Sequence, residues 1–265
     1  MEQKRENVKK RISSIFSINK IVPCAITLSA LCFGLTAVRF GMLQQLDAAI
    51  LCILCAAFFD ALDGRAARYL GSSSQFGAEL DSLSDLVDFG VAPGLLIYMV
   101  ALQPIGKIGW LSSLYFIICC ALRLARFNVG QISEAHSSDE DKTPAELKVF
   151  FCGVPAPAGA IICVLPIVCY LQFGLNFCLN PILCVLFQLI AGTLMISRMH
   201  TFSSKMIKFD QNHFLTTLIG ILLIVMLLII ETWMTLFALT MLYIILIPYG
   251  EAEYKKRVKS LSLSK

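Results

Sequence analysis

Four aspartates stand at the ends of apolar runs where a charge is costly. Asp60 and Asp63 follow the run Ala48–Phe59, and Asp81 and Asp85 precede the run Phe89–Gly106. Spacings of three and four residues place each pair on one face of a helix. Ionisable groups in such segments are expensive and are usually functional. With no His or Cys among them, the carboxylates are oxygen donors suited to a hard ion, Mg²⁺ or Mn²⁺. Two ions bridged by shared carboxylates form a clamp suited to phosphoryl-type displacement. Four like charges brought together repel strongly in a low dielectric. Protonation, arginine pairing or divalent cations relieve that repulsion, and Arg65 and Arg68 offer only two positive charges. Gly64, Ala67 and Gly77, interleaved with the acids, leave room for a flat or bulky ligand near the backbone. Close helix packing explains such small residues equally well, but it does not explain the aspartates.

The elements that carry these residues are membrane helices. The 265-residue chain is 57% hydrophobic and only 15% charged, with a mean hydropathy of +0.76. A soluble domain carries roughly 25% charged residues, which excludes a disordered chain, a secreted disulfide scaffold and an ordinary cytosolic enzyme. Charge-free stretches run over Ile21–Val38, Phe89–Gly106, Phe214–Ile230 and Thr232–Gly250. A further stretch, Val149–Ser197, holds two spans with a break at Gly174, Asn176, Asn180 and Pro181. Ala48–Phe59 and Ile108–Leu122 are short, about 18 and 22 Å as helix, and each ends in charge. The expectation is an all-α polytopic membrane protein of about eight transmembrane helices, six forming a core. A turn at Gly71-Ser-Ser-Ser makes the two aspartate helices antiparallel neighbours.

Of the 22 basic residues, 20 fall on the side that holds both termini, and only Arg39 and Lys107 fall opposite. The positive-inside rule makes that side cytoplasmic, in a cell inner membrane, with the aspartates facing it. The net charge of +4 is therefore a by-product of topology, and no nucleic-acid partner is expected. The expected divisions are a basic, interfacial segment 1–20, a transmembrane core 21–210, two further helices 211–250 and a basic tail 251–265. Ile15, Phe16, Ile18 and Ile21 give the first segment an apolar face, and the first apolar run reads as a retained helix rather than a cleaved signal. The 11 cysteines read as small hydrophobes of helix packing, the Cys52/Cys55 pair included. Residues 127–148 read as a polar cytoplasmic loop, and His136, His200 and His213 are scattered away from the acids.

The pattern D-x-x-D-G-x-x-A-R-x8-G-x3-D-x3-D, met at every specified position from Asp60 to Asp85, resembles the signature of the CDP-alcohol phosphatidyltransferases. It specifies eight residues over 26 positions. The resemblance implies a six-helix membrane core, often a homodimer, with a site open to the cytoplasm. It implies that Asp60, Asp63 and Asp81 hold one metal and that Asp60, Asp81 and Asp85 hold a second. It further implies that Gly64, Ala67 and Gly77 accommodate the cytidine nucleotide, that Arg68 helps hold its phosphates, and that Asp85 is the base for the acceptor alcohol.

Further segments resemble one branch, the membrane-integral phosphatidylserine synthases. They are Asp81–Pro93, Arg123-Leu-Ala-Arg126-Phe-Asn128, Phe151-Cys-Gly-Val-Pro155-Ala-Pro157-Ala and, more loosely, Met195-Ile-Ser197 with Ser203-Ser-Lys205. The branch implies transfer of a phosphatidyl group from CDP-diacylglycerol to L-serine, among membrane lipids. Serine needs a cation for its carboxylate, which Arg123 and Arg126 can supply, although basic residues at a helix end are also ordinary topology anchors. Asn128, Ser197, Arg198 and Lys205 are further acceptor or phosphate candidates. Two positions depart from the branch. Cys24 stands where an Asn associated with the nucleotide is usual, with Thr27 retained. Asp88 stands where a small polar residue is common, as an acceptor-site candidate, an arginine partner or a solvated boundary charge. Two alternatives remain open: another acceptor (glycerol 3-phosphate, an inositol phosphate or choline), or a carboxylate-based, cation-coupled transporter.

Overall fold

The computed structural model describes residues 18–71, 74–136, 150–197, 199–202 and 214–263. Among the described residues there are eight helical rods: α1 (Ile18–Met42), α2 (Leu46–Tyr69), α3 (Gln75–Ile105), α4 (Lys107–His136), α5 (Ala156–Phe173), α6 (Pro181–Ile196), α7 (Phe214–Ile230) and α8 (Thr232–Leu263). Two three-residue strands, β1 (Phe150–Cys152) and β2 (His200–Phe202), pair antiparallel. The chain is an all-α polytopic membrane protein. Five rods, α1, α3, α4, α5 and α8, are long and apolar enough to cross a bilayer. α6 and α7, at 16 and 17 residues, are shorter, and α2 carries Asp47, Asp60, Asp63, Arg65 and Arg68.

The two runs that looked too short do not stop at their charges. α2 continues through Asp60 and Arg68 to Tyr69, and α4 continues past Arg126 to His136. Nothing in these stretches breaks a helix, so the acids and arginines sit on rigid helix rather than in loops. Residues 127–136 of the expected polar loop are therefore helix, and 137–148 lie outside the described residues. The rod α3 is not uniform: π-helical turns at Leu86–Val91 and Tyr98–Leu102 interrupt it. Such turns recur at functional sites.

The contacts divide the chain into two compact units, one ending at Leu96 and one beginning at Ile97. In the first, α1 packs along both α2 and the start of α3, while α2 and α3 meet chiefly at the first π turn. Buried Ala30, Ala37, Ala49 and Ala56 let α1 and α2 approach closely, and the rings of Phe33 and Phe59 stack with centroids 5.2 Å apart. The hydroxyl of Ser74 accepts the Gly77 N–H at 3.1 Å and caps α3.

In the second unit α6 packs against α4 and α5, and α8 against α5 and α7. Asn180 caps α6 by accepting the Ile182 N–H at 2.9 Å, with Pro181 in the first turn. Buried Gln188 is satisfied by Ser112 and Ser113, which ties α6 to α4 where lipid offers no partner. Gly153 turns the chain into α5 with φ +82°, and a Cβ there would lie 2.7 Å from the Met195 carbonyl oxygen. Gly153→Val is expected to destabilise the fold by about 1–3 kcal/mol or more, read as a lowered Tm of the detergent-solubilised protein.

Candidate functional site

All four motif aspartates lie in the first unit. Asp60 and Asp63 project from the C-terminal half of α2, and Asp81 and Asp85 from the first turns of α3. One carboxylate oxygen from each of Asp60, Asp63 and Asp81 lies within 4.8 Å of the others. Asp85 lies close enough to Asp60 for the two carboxyls to interact. Carboxyls this close share either a proton or a cation. An all-oxygen donor set of this charge fits a hard divalent ion, and the three converging acids fit it geometrically.

The helix α1 contributes to the same cluster without any acid of its own. Thr27 is 4% exposed, and its hydroxyl donates to Asp63 Oδ2 at 2.7 Å. Gly64 faces open space where a Cβ would stand, whereas Gly77 faces Ser74 and the Cys24 sulfur. Cys24 thus lies beside one of the small residues expected at a nucleotide. Arg65 and Arg68 are exposed, and Arg68 Nε donates to the Gly64 carbonyl at 2.9 Å. Asp88 is 1% exposed, so it is not a solvated boundary charge. It accepts from Ser84 at 3.2 Å.

The acceptor candidates of the second unit gather at one corner. Arg123 Nε donates to the Val154 carbonyl, and Arg126 Nη1 donates to the Ile196 carbonyl at 2.8 Å. Ser197, next along, returns its hydroxyl to the Leu194 carbonyl at 2.8 Å. Both arginines therefore brace the loop entering α5 and the end of α6, with Arg126 exposed and Arg123 half-buried. Asn128 is half-buried one turn on. Arg198 and Lys205 lie outside the described residues, as do 1–17, most of the interfacial segment.

Residues 20–196 match the CDP-alcohol phosphatidyltransferase family. The chain belongs to that family. A CDP-diacylglycerol–serine O-phosphatidyltransferase of Mycobacterium leprae is 41% identical over 192 residues, 69% of this chain and 60% of the relative. Proteins of the same name are 37% identical over 67% of this chain in Bacillus subtilis, and 31% over 77% in Helicobacter pylori, covering 87% and 81% of those relatives. The chain spans about three-fifths of the Mycobacterium leprae relative and about half of those from Mycobacterium bovis and Mycobacterium tuberculosis.

Three features of this CDP-alcohol phosphatidyltransferase site escaped the sequence reading. The Thr27–Asp63 bond joins residues 36 positions apart, and no local pattern announces it. Ser84, which the sequence reading did not single out, is buried at 3% exposure. Gly34, likewise not singled out, faces Asp88. The one available signal was the polarity of Ser84 beside apolar Leu83. Asp81→Asn removes one of three converging oxygen charges and is expected to weaken Mn²⁺ binding by about tenfold or more, measured by titrating the purified protein with Mn²⁺ alone.

Proposed function

We propose that the chain transfers the phosphatidyl group of CDP-diacylglycerol to the hydroxyl of L-serine, releasing phosphatidylserine and CMP. The observation that carries this reading is the eight-residue family motif whose aspartates converge in space, in a chain whose relatives bear that enzyme name. Asp60, Asp63, Asp81 and Asp85 hold two divalent ions, Mg²⁺ or Mn²⁺. When bound, these neutralise charge at the diphosphate and at the departing CMP. Gly64 leaves backbone accessible to the cytidine, with Ala67 and Gly77 as the further small residues of the motif, and Arg68 is the candidate for its phosphates. Asp85 accepts the proton as the serine oxygen bonds to the lipid-bearing phosphorus and the bond from that phosphorus to the CMP oxygen breaks.

Arg123 and Arg126 are the candidates for the serine carboxylate, with Asn128, Ser197 and Lys205 as lesser contacts. The basic-residue bias supports an inner-membrane enzyme with both termini and the aspartates cytoplasmic. The remaining proposals are a core over 21–210, two accessory helices and a homodimer.

The purified protein, given CDP-diacylglycerol and Mn²⁺, is expected to release CMP with serine and not with glycerol 3-phosphate, inositol phosphate or choline. Chelation should abolish release. Release with another alcohol alone would reassign the acceptor, and release with none would overturn the phosphatidyltransfer reading. Asp85→Asn is expected to lower kcat by roughly 10²–10⁴-fold while CDP-diacylglycerol still binds. Arg126→Lys keeps the charge but loses the planar fork, so it is expected to raise the KM for serine with little change in that for CDP-diacylglycerol.

A further inference from the structure

Asp88 is the least explained charge in the first unit. It sits within the π-helical turn Leu86–Val91, is 1% exposed, and its Oδ1 has no hydrogen-bond partner among the described residues. A buried carboxylate oxygen left without a partner costs stability. Room for it exists because residue 34 of α1 is glycine: a Cβ at Gly34 would overlap Asp88 Oδ1. An acid retained at such cost, against a gap left by the facing helix, calls for a role beyond packing.

Its remaining contacts lead to the metal carboxylates. Asp88 Oδ2 accepts from the Ser84 hydroxyl at 3.2 Å, and the same hydroxyl lies 3.3 Å from the Thr27 carbonyl oxygen. Thr27 in turn gives its own hydroxyl to Asp63 at 2.7 Å. The single Ser84 hydrogen is shared between Asp88 and the Thr27 carbonyl, so α1 is tied at one residue, by its carbonyl toward α3 and by its side chain toward α2. Gly34 lies seven residues further along α1, two helical turns from Thr27 on the same face, so Asp88 seats against α1 close above the point that Ser84 grips.

We propose that Asp88 is a positioning residue of the metal site, acting on Asp63 through Ser84 and Thr27. The inference rests on the assignment of Asp63 as a metal ligand. The chain of contacts sets the height and rotation of Thr27, and the Thr27 hydroxyl occupies one oxygen of Asp63, which presents the other to a cation. Partners one step behind a metal ligand orient it in this way. Thr27 then serves the nucleotide end of the site through Asp63 rather than by touching the nucleotide, and Asp88 is not an acceptor contact.

The test uses the purified full-length protein in detergent and Mn²⁺ alone, with free Mn²⁺ read by electron paramagnetic resonance and Tm read in parallel. Asp88→Val discards an oxygen without a partner, so its Tm is expected to hold or rise. Its Mn²⁺ dissociation constant is expected to rise by about tenfold, as is that of Thr27→Val, while Thr27→Ser stays near the wild-type value. At saturating Mn²⁺ the KM for CDP-diacylglycerol should be unchanged in Asp88→Val and Thr27→Ser. Unchanged Mn²⁺ affinity in Asp88→Val would overturn the proposal, as would a lowered Tm with affinity intact, which marks a packing wedge. If Asp88→Val does not fold, Ser84→Ala replaces it, with the same loss of affinity expected and unchanged affinity overturning the proposal. Wild-type protein that binds no Mn²⁺ overturns the metal assignment itself and this inference with it, an outcome distinct from unchanged affinity in the variants.

Discussion

The repulsion among Asp60, Asp63, Asp81 and Asp85 is the constraint around which the first unit is built. Two unit charges about 4 Å apart repel by about 4 kcal/mol even at an effective dielectric near 20. One oxygen of each acid of the triad lies within 4.8 Å of the others, and Asp85 lies close to Asp60. Repulsion on that scale rivals the whole stability of a typical domain. The cluster is tolerable only with divalent cations or protons between the carboxyls and a scaffold stiff enough to prevent them from splaying apart. Rigid helix supplies the stiffness: α2 runs unbroken through its two acids, and α3 starts with a side-chain cap just ahead of its own.

The helix that contains no site acid does much of the holding. α1 lies against both acid-bearing helices, which otherwise meet chiefly at one turn. Alanines on the α1–α2 seam bring the backbones close, so that a residue as short as Thr27 reaches Asp63. A hydrogen bond to a charged group contributes about 1.5–3 kcal/mol, enough to fix one carboxylate's orientation but not to cancel the repulsion. The scaffold and the cations therefore have separate tasks, orientation for one and neutralisation for the other.

Arg123 and Arg126 show how one sequence feature carries two meanings. At the end of an apolar run they read as anion ligands, with topology anchors as the other reading. Both donate to backbone carbonyls, of Val154 and Ile196, that frame the loop at Gly153 and the end of α6. Each guanidinium has five donors, and each of these bonds uses one of them. The bonds hold the planar forks against the backbone of the second unit.

The sequence by itself determined the membrane class, the helix order and the acids that matter. Hydropathy is a local sum, and a motif of eight residues in 26 positions lies on two consecutive helices joined by a short turn. The break between α5 and α6 was legible for the same reason, since Gly174, Asn180 and Pro181 act on their own backbone. Tertiary structure alone decided what stands behind the acids. That Thr27 reaches Asp63, that Ser84 joins Thr27 to Asp88, and that Gly34 makes space for Asp88 all depend on the rotation of α1 about its axis against two neighbours. In a helix apolar on every side, no polar face announces that rotation. Packing of small residues sets it, and with it whether Asp88 meets water or the interior.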